Sequence, residues 1–123
     1  MKLPGKLYLI PTTMGESDPM DVLPQTVKRS IELIDYYIVE NDKTARKSIK
    51  AVLPEKKQSE LVLFTLNKRT ETSEHLDFIK PLLEGKNMGL MSEAGCPGVA
   101  DPGAVIVKLA HEKGIQVVPL VGP

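Results

Sequence analysis

Short apolar runs of strand length alternate with longer stretches of helical periodicity along almost the whole chain, and this alternation constrains the fold more than any other feature. Leu7–Ile10 reads as a first buried strand, stopped by Pro11. Tyr36–Val39, Leu61–Leu66 and Met88–Met91 read as the second, third and fourth strands, the last interrupted by Gly89. Val117–Val121 reads as the fifth, with Pro119 inside it, which predicts an edge strand or an irregular one because proline cannot donate to a ladder. Between them, Leu23, Val27, Ile31 and Ile34 recur at near-helical spacing. Asp42–Leu53 follows, with Asp42 as expected N-cap and Pro54 as stop. Leu76, Ile79 and Leu83 mark a third helix ahead of Gly85, where a left-handed residue is expected. Val105, Ile106, Leu109 and Ala110 form the apolar face of a fourth, closed by Gly114. Strand and helix in strict alternation imply an α/β fold: a doubly wound, five-stranded parallel sheet with helices on both faces.

Length agrees with one such domain over residues 1–123. A chain of 123 residues buries roughly 65% of its unfolded surface, enough for one core. Tryptophan is absent, so the core must be built from Leu, Ile, Val and Met. Sixteen basic side chains balance 16 acidic ones, so the domain lacks the overall basic excess of many nucleic-acid binders, and any such contact has to be local. Cys96 is the single cysteine, which excludes an intrachain disulfide framework and a four-cysteine zinc site. No stretch reaches the length of a membrane span, and the first apolar run is too short for a signal-peptide core. A cytoplasmic protein is expected. The closing Val121–Pro123 follows a strand with no helix behind it, so the natural protein is expected to continue.

Ligands of an open parallel sheet sit outside the C-terminal ends of its strands, which directs attention to the loops that follow them. After strand four comes SEAGCPGVADPG, Ser92 to Gly103. Ala94, Gly95, Gly98 and Ala100 leave main-chain groups open to close approach, Glu93 and Asp101 supply carboxylates, and Pro97 and Pro102 stiffen the path. Such a loop suits a polar ligand held by the main chain; it equally suits a tight crossover. After strand one comes PTTMGESDPMD, Pro11 to Asp21, with no G-x-G-x-x-G and no phosphate-binding P-loop. Glu16, Asp18 and Asp21 lack the partners of a metal site and read as solvated turn residues, and no metal is expected. His75 and His111 have no ligand-spaced partner and read as surface residues, and Cys96 as a small packing residue. Lys43, Arg46, Lys47 and Lys50 fall at i, i+3, i+4 and i+7 on the second helix, a cationic face that is either solvated or in contact with phosphates.

These motifs together resemble the tetrapyrrole methylases, in particular their ribosomal-RNA branch. YLIPTTMGE (Tyr8 to Glu16) resembles that branch's Y-[IL]-[IV]-P-T-P-I-G-N. SEAGCPGVADPG resembles S-D-A-G-T-P-G-x-x-D-P-G, the most specific element, and PLVGP (Pro119 to Pro123) resembles a last strand running into P-G-P. VENDKTARK (Val39 to Lys47) resembles A-E-D-T-R-x-T-R-K and retains Glu40, Arg46 and Lys47, while Asn67 falls where the family has an asparagine after strand three. The resemblance implies the N-terminal domain of a two-domain, class III methyltransferase, usually a homodimer, with the family's C-terminal domain absent from this chain. It implies S-adenosyl-L-methionine as cofactor, touched by Pro11, Thr12 and the loop residues Ser92, Glu93, Ala94, Gly95, Cys96, Pro97 and Gly98, with Asp101 capping the fourth helix. It implies ribosomal RNA, in the small ribosomal subunit, as the methyl acceptor at a ribose 2′-hydroxyl, with Glu40, Arg46, Lys47 and Asn67 on the substrate side.

The chain departs from the pattern at Glu16, Glu93 and Cys96, and at Asp42 and Lys43 in the A-E-D-T-R segment. Glu16 resembles the acidic residue of tetrapyrrole-methylating relatives and is the candidate base or acceptor-orienting group; an ordinary solvated carboxylate is the alternative. A divergent paralogue is therefore expected, with its acceptor open. The alternatives are a tetrapyrrole or other small-molecule methyltransferase, a non-catalytic binding module of the same fold, and an unrelated flavodoxin-like domain.

Overall fold

The computed structural model describes residues 3–10, 25–66, 72–91 and 103–120. Its elements are β1 (Leu7–Ile10), α1 (Gln25–Leu33), β2 (Tyr36–Val39), α2 (Asp42–Val52), a single 3₁₀ turn (Gln58–Glu60) and β3 (Val62–Thr65). Then come α3 (Thr72–Phe78), α4 (Lys80–Leu83), β4 (Met88–Met91), α5 (Gly103–Glu112) and β5 (Val117–Pro119). The five strands form one sheet in the order β3-β2-β4-β1-β5, and all four pairings are parallel. The expected doubly wound α/β architecture is what the chain adopts.

The chain moves from β1 over β4 to β2, then outward to β3. It returns to β4 and crosses β1 in the opposite direction to reach β5. Right-handed crossovers then require α1 and α2 on one face and α3 to α5 on the other. The core divides accordingly. Ile31 and Ile34 from α1 and its end, with Ala45, Ile49 and Val52 from α2, pack on Ile10, Tyr37, Val39 and Met91. Ile79, Leu82, Ile106 and Ala110 pack on Leu7, Ile38, Met88 and Leu90. Alternate residues of each strand serve opposite faces, as the two-residue period of a strand demands.

β4 is buried along its whole length between β1 and β2. Gly89 is paired in register with both Tyr8 and Tyr37. A Cβ there would come within 2.6 Å of the Ile10 Cδ1 and 2.8 Å of the Tyr37 ring, so the glycine is what lets that ring lie on the central strand. The Tyr37 hydroxyl donates to the Ile34 carbonyl at 2.7 Å, satisfying an acceptor just past the end of α1. Burial, reinforced by the nearby Asp35 carboxylate, raises its pKa well above the ordinary tyrosine value.

Both positive-φ glycines among the described residues serve one turn type. Gly85 (φ 95°) and Gly114 (φ 71°) bend the chain so that the Lys86 N–H reaches the Pro81 carbonyl and the Ile115 N–H reaches that of Ala110, each at 2.9 Å. The expected third helix breaks into α3 and α4 because Pro81 has no N–H with which to continue α3. Its inward face also differs from the expected one. His75, Ile79 and Leu82 point into the core, whereas Leu76 and Leu83 are over 40% exposed. His75 is thus a correction: it is 7% exposed, because it lies one turn from Ile79 on the packed side, and its ring nitrogens have no partner among the described residues. His111 is exposed as expected. In α5, Ile106 and Ala110 are buried while Val105 is 39% exposed, so the packed stripe runs through i and i+4.

β5 is an edge strand, as Pro119 implied. The Leu7 N–H donates to the Gln116 carbonyl and the Leu120 N–H to that of Leu9, so residues 116 and 120 face β1. Strand alternation then turns the Pro119 nitrogen to the free side, where a missing donor breaks no bond.

Replacing Gly89 by Ala is expected to lower the unfolding free energy by about 1–3 kcal/mol through overpacking, read as a lower urea midpoint at unchanged slope. Tyr37→Phe should also destabilise. Because the folded-state pKa of Tyr37 is raised, its stabilising contribution is complete below the ordinary tyrosine pKa of about 10 and is lost as pH rises past it. The stability gap between wild type and Tyr37→Phe should therefore shrink in alkaline urea titrations; a constant gap would remove Tyr37 from the alkaline transition.

Candidate functional site

The crossovers from β1 and β4 leave in opposite directions onto opposite faces, so the topological switch point lies between these two strands. Ile10 and Met91, their last residues, are register partners, and both are buried. Val39 and Thr65 continue the same row across β2 and β3. The Leu66 N–H donates to the Val39 carbonyl at 2.7 Å, which holds the chain beyond β3 against the end of β2. One edge of the sheet thus collects the points from which every predicted site segment departs. Pro11 follows Ile10, Glu40 follows Val39, Asn67 follows Leu66 and Ser92 follows Met91. Pro11, Thr12, Glu16, Asn67, Asp101 and the loop Ser92, Glu93, Ala94, Gly95, Cys96, Pro97 and Gly98 themselves lie outside the described residues.

The described part of the site is Glu40 and α2. Asn41, not Asp42, caps this helix: its backbone is extended (φ −142°, ψ 116°), and its side chain accepts from the Thr44 N–H at 3.0 Å. Either residue type can cap. The helix begins one residue earlier than a cap at Asp42 would allow, and Asp42 becomes a first-turn carboxylate beside the positive end of the helix dipole. From there it pairs with Arg46 at 2.8 Å, and the Arg46 guanidinium also donates to the Gln58 carbonyl at 3.0 Å. Arg46 therefore ties α2 to the 3₁₀ turn that leads into β3. Lys43, Lys47 and Lys50 are exposed and make no ion pair among the described residues, whereas Ala45, Ile49 and Val52 bury the opposite face.

A concavity of about 290 Å³ lies on the α1 side of the sheet against β1 and the end of β5. Tyr8, Arg29, Leu33, Asn87 and Leu120 are among its walls, and none of the sequence-predicted site residues contributes to it. Nothing in the sequence pattern marked it, since its lining comes from four separate segments. Among the described residues, no group of three or more His, Cys, Asp or Glu side chains is placed to hold a metal. No described helix is long and apolar enough to cross a membrane.

Residues of this chain align over 119 positions, 97% of its length, with the ribosomal RNA small subunit methyltransferase I of Escherichia coli O157:H7, at 31% identity. The proteins of the same name from Leptospira biflexa and Bacillus subtilis are 31% and 33% identical over 118 residues. The chain is similar to these methyltransferases over nearly its whole length. It spans 39%, 46% and 38% of the three relatives, about two fifths of a full-length protein. No model of a protein family matches it.

Asn41→Ala is expected to lower stability by about 1 kcal/mol through the lost cap, and Asp42→Asn by only a few tenths, as for an exposed i,i+4 pair. Urea midpoints of the two variants check this; the reverse order would return the capping role to Asp42.

Proposed function

We propose that this chain is the cofactor-binding, N-terminal domain of an S-adenosylmethionine-dependent methyltransferase of the tetrapyrrole methylase family, acting on ribosomal RNA. The observation that carries this reading is the pairing of Ile10 with Met91, the residues directly before its two most family-like segments. Pro11–Glu16 and Ser92–Gly103 depart from Ile10 and Met91, which are paired at the switch point where a doubly wound sheet holds its ligand. The similarity to proteins named ribosomal RNA small subunit methyltransferase I supports the reaction and the acceptor class.

The donor set suits this cofactor. Gly95 and Gly98 suit close main-chain approach, Thr12, Ser92 and Glu93 bring polar groups, and Pro11, Ala94, Cys96 and Pro97 are the small or stiff residues beside them in sequence. S-adenosylmethionine, when bound, supplies a methyl group already activated by its sulfonium. What remains for the protein is alignment of the acceptor oxygen with that carbon, a matter of proximity and orientation. A ribose hydroxyl loses its proton as the methyl group arrives, and Glu16 is the carboxylate in position by sequence to accept it or to orient the hydroxyl. Glu40, Arg46, Lys47 and Asn67 belong on the acceptor side of the same edge. The family resemblance carries with it a homodimer, a second domain that completes the cofactor cleft, and a cytoplasmic location.

A second reading has its own motive. The substitutions at Glu16, Glu93 and Lys43 fit a binding module that keeps the cofactor site and has lost turnover.

Calorimetric titration of S-adenosylhomocysteine into the full-length protein is expected to show micromolar binding that Gly95→Val and Gly98→Val each abolish. Transfer of labelled methyl groups to small ribosomal subunits lacking their ribose methylations should accompany it, and fall in Glu16→Gln. Binding without transfer would select the binding module; no binding would leave only a shared fold.

A further inference from the structure

We propose that α2 is the surface along which the phosphate backbone of the RNA acceptor runs, with Lys43, Lys47 and Lys50 as its contacts. This rests on the methyltransferase reading above and adds the face that grips the acceptor. The charge of the chain as a whole cancels, 16 against 16, so any affinity for a polyanion must come from uneven placement. Among the described helices, α2 is where placement is most uneven. Its single carboxylate, Asp42, is taken by Arg46, and Glu40 just ahead of it is itself engaged. The other described helices each carry an acid beside their cations: Glu32 follows Lys28 and Arg29 within one turn, Asp77 pairs with Lys80 at 3.1 Å, and Glu112 stands between Lys108 and Lys113, so none has three exposed lysines on one face. Lys56 is drawn in, its ammonium held by Asp35 at 2.7 Å and by the Glu32 carbonyl at 3.0 Å.

Residues at i, i+4 and i+7 share one helical face and here extend over roughly 10 Å of axis, enough to follow consecutive phosphates. Lysine suits this task as a mobile point charge that contacts phosphate without reading bases. Arg46, which lies among them in sequence, is a positioning residue. Its guanidinium holds the 3₁₀ turn and keeps the helix in place under the lysines. The helix starts directly beyond the end of β2, beside β4, so its first turns stand at the edge of the sheet that carries the switch point. A strand of RNA lying on Lys43 and Lys47 would be close to the reacting centre. An anionic membrane is the other polyanion such lysines could meet. None of the large exposed apolar side chains of the described residues lies on α2, however, and membrane-surface helices need an apolar face to insert.

The test is fluorescence anisotropy of the full-length protein with a labelled single-stranded RNA of mixed sequence, across a salt series. The variant is Lys43→Ala, Lys47→Ala, Lys50→Ala combined, all on exposed positions. RNA affinity at low salt should drop by about tenfold or more, and the slope of log K against log salt should become shallower by about 2, three contacts at about 0.7 each. Affinity for S-adenosylhomocysteine should stay unchanged, and the corresponding triple Lys→Arg variant should retain both RNA affinity and slope. Arg46→Ala should lower the urea midpoint and, while folded, leave the slope nearly intact. An unchanged slope in the alanine variant overturns the proposal while leaving the cofactor reading in place. Tighter binding to phosphatidylserine vesicles than to RNA, lost in the same variant, overturns it in favour of a lipid surface. Wild-type protein that binds S-adenosylhomocysteine but no RNA overturns it together with the RNA acceptor; failure to bind either removes the methyltransferase reading as well.

Discussion

Tyr37 packs directly against the central strand because Gly89 has no side chain, and much of the arrangement around the switch point follows from that contact. The ring fills the face between β4 and α1, and its hydroxyl closes the backbone just beyond α1 at Ile34. β2, β4 and the end of α1 are thereby set relative to one another by a single buried side chain. The row Ile10, Met91, Val39 then comes level at one edge of the sheet. A parallel sheet buried on both faces tolerates little sliding, since a one-residue slip would turn core side chains to the wrong face.

The polar interactions divide between support and surface. Lys56 reaches back from the segment after α2 to Asp35 and to the Glu32 carbonyl near the end of α1, linking the two helices of one face at the end opposite the switch point. Arg46 does the equivalent at the 3₁₀ turn. Both cations have fixed partners; the Lys56 side chain is the more enclosed, and losing Asp35 would leave its charge partly uncompensated. What remains free on α2 is the lysine set, which is why basic residues adjacent in sequence fall into two physical roles.

Much of the fold was legible in the residues. β1, β2 and β4 match their expected bounds because each is a short apolar run cut off by a residue of different character. Gly85 was legible as a left-handed residue and Gly114 as a helix end, and both have positive φ. The helix faces were less so. Leu76 and His75 are neighbours, and periodicity favours the leucine inward; packing against the sheet turned the helix by one residue and buried the histidine. Asn41 and Asp42 both have the chemistry of a cap, and only the backbone angles chose between them. The concavity at Tyr8, Arg29 and Leu120 left no sequence signal, because its walls come from segments far apart in the chain.

By itself, then, the sequence determined the alternation of strand and helix, the parallel sheet, the edge position of the proline-bearing strand and the two glycine-containing loops that resemble a methyltransferase. These are properties of local periodicity and of residues with restricted or extended backbone freedom. The tertiary structure decided the strand order, and with it the meeting of Ile10 and Met91 at the switch point. It also decided which cation of α2 is bound into the framework and which three stay on the surface. Those outcomes depend on which residues become neighbours across long separations, a matter settled by burial of both sheet faces at once.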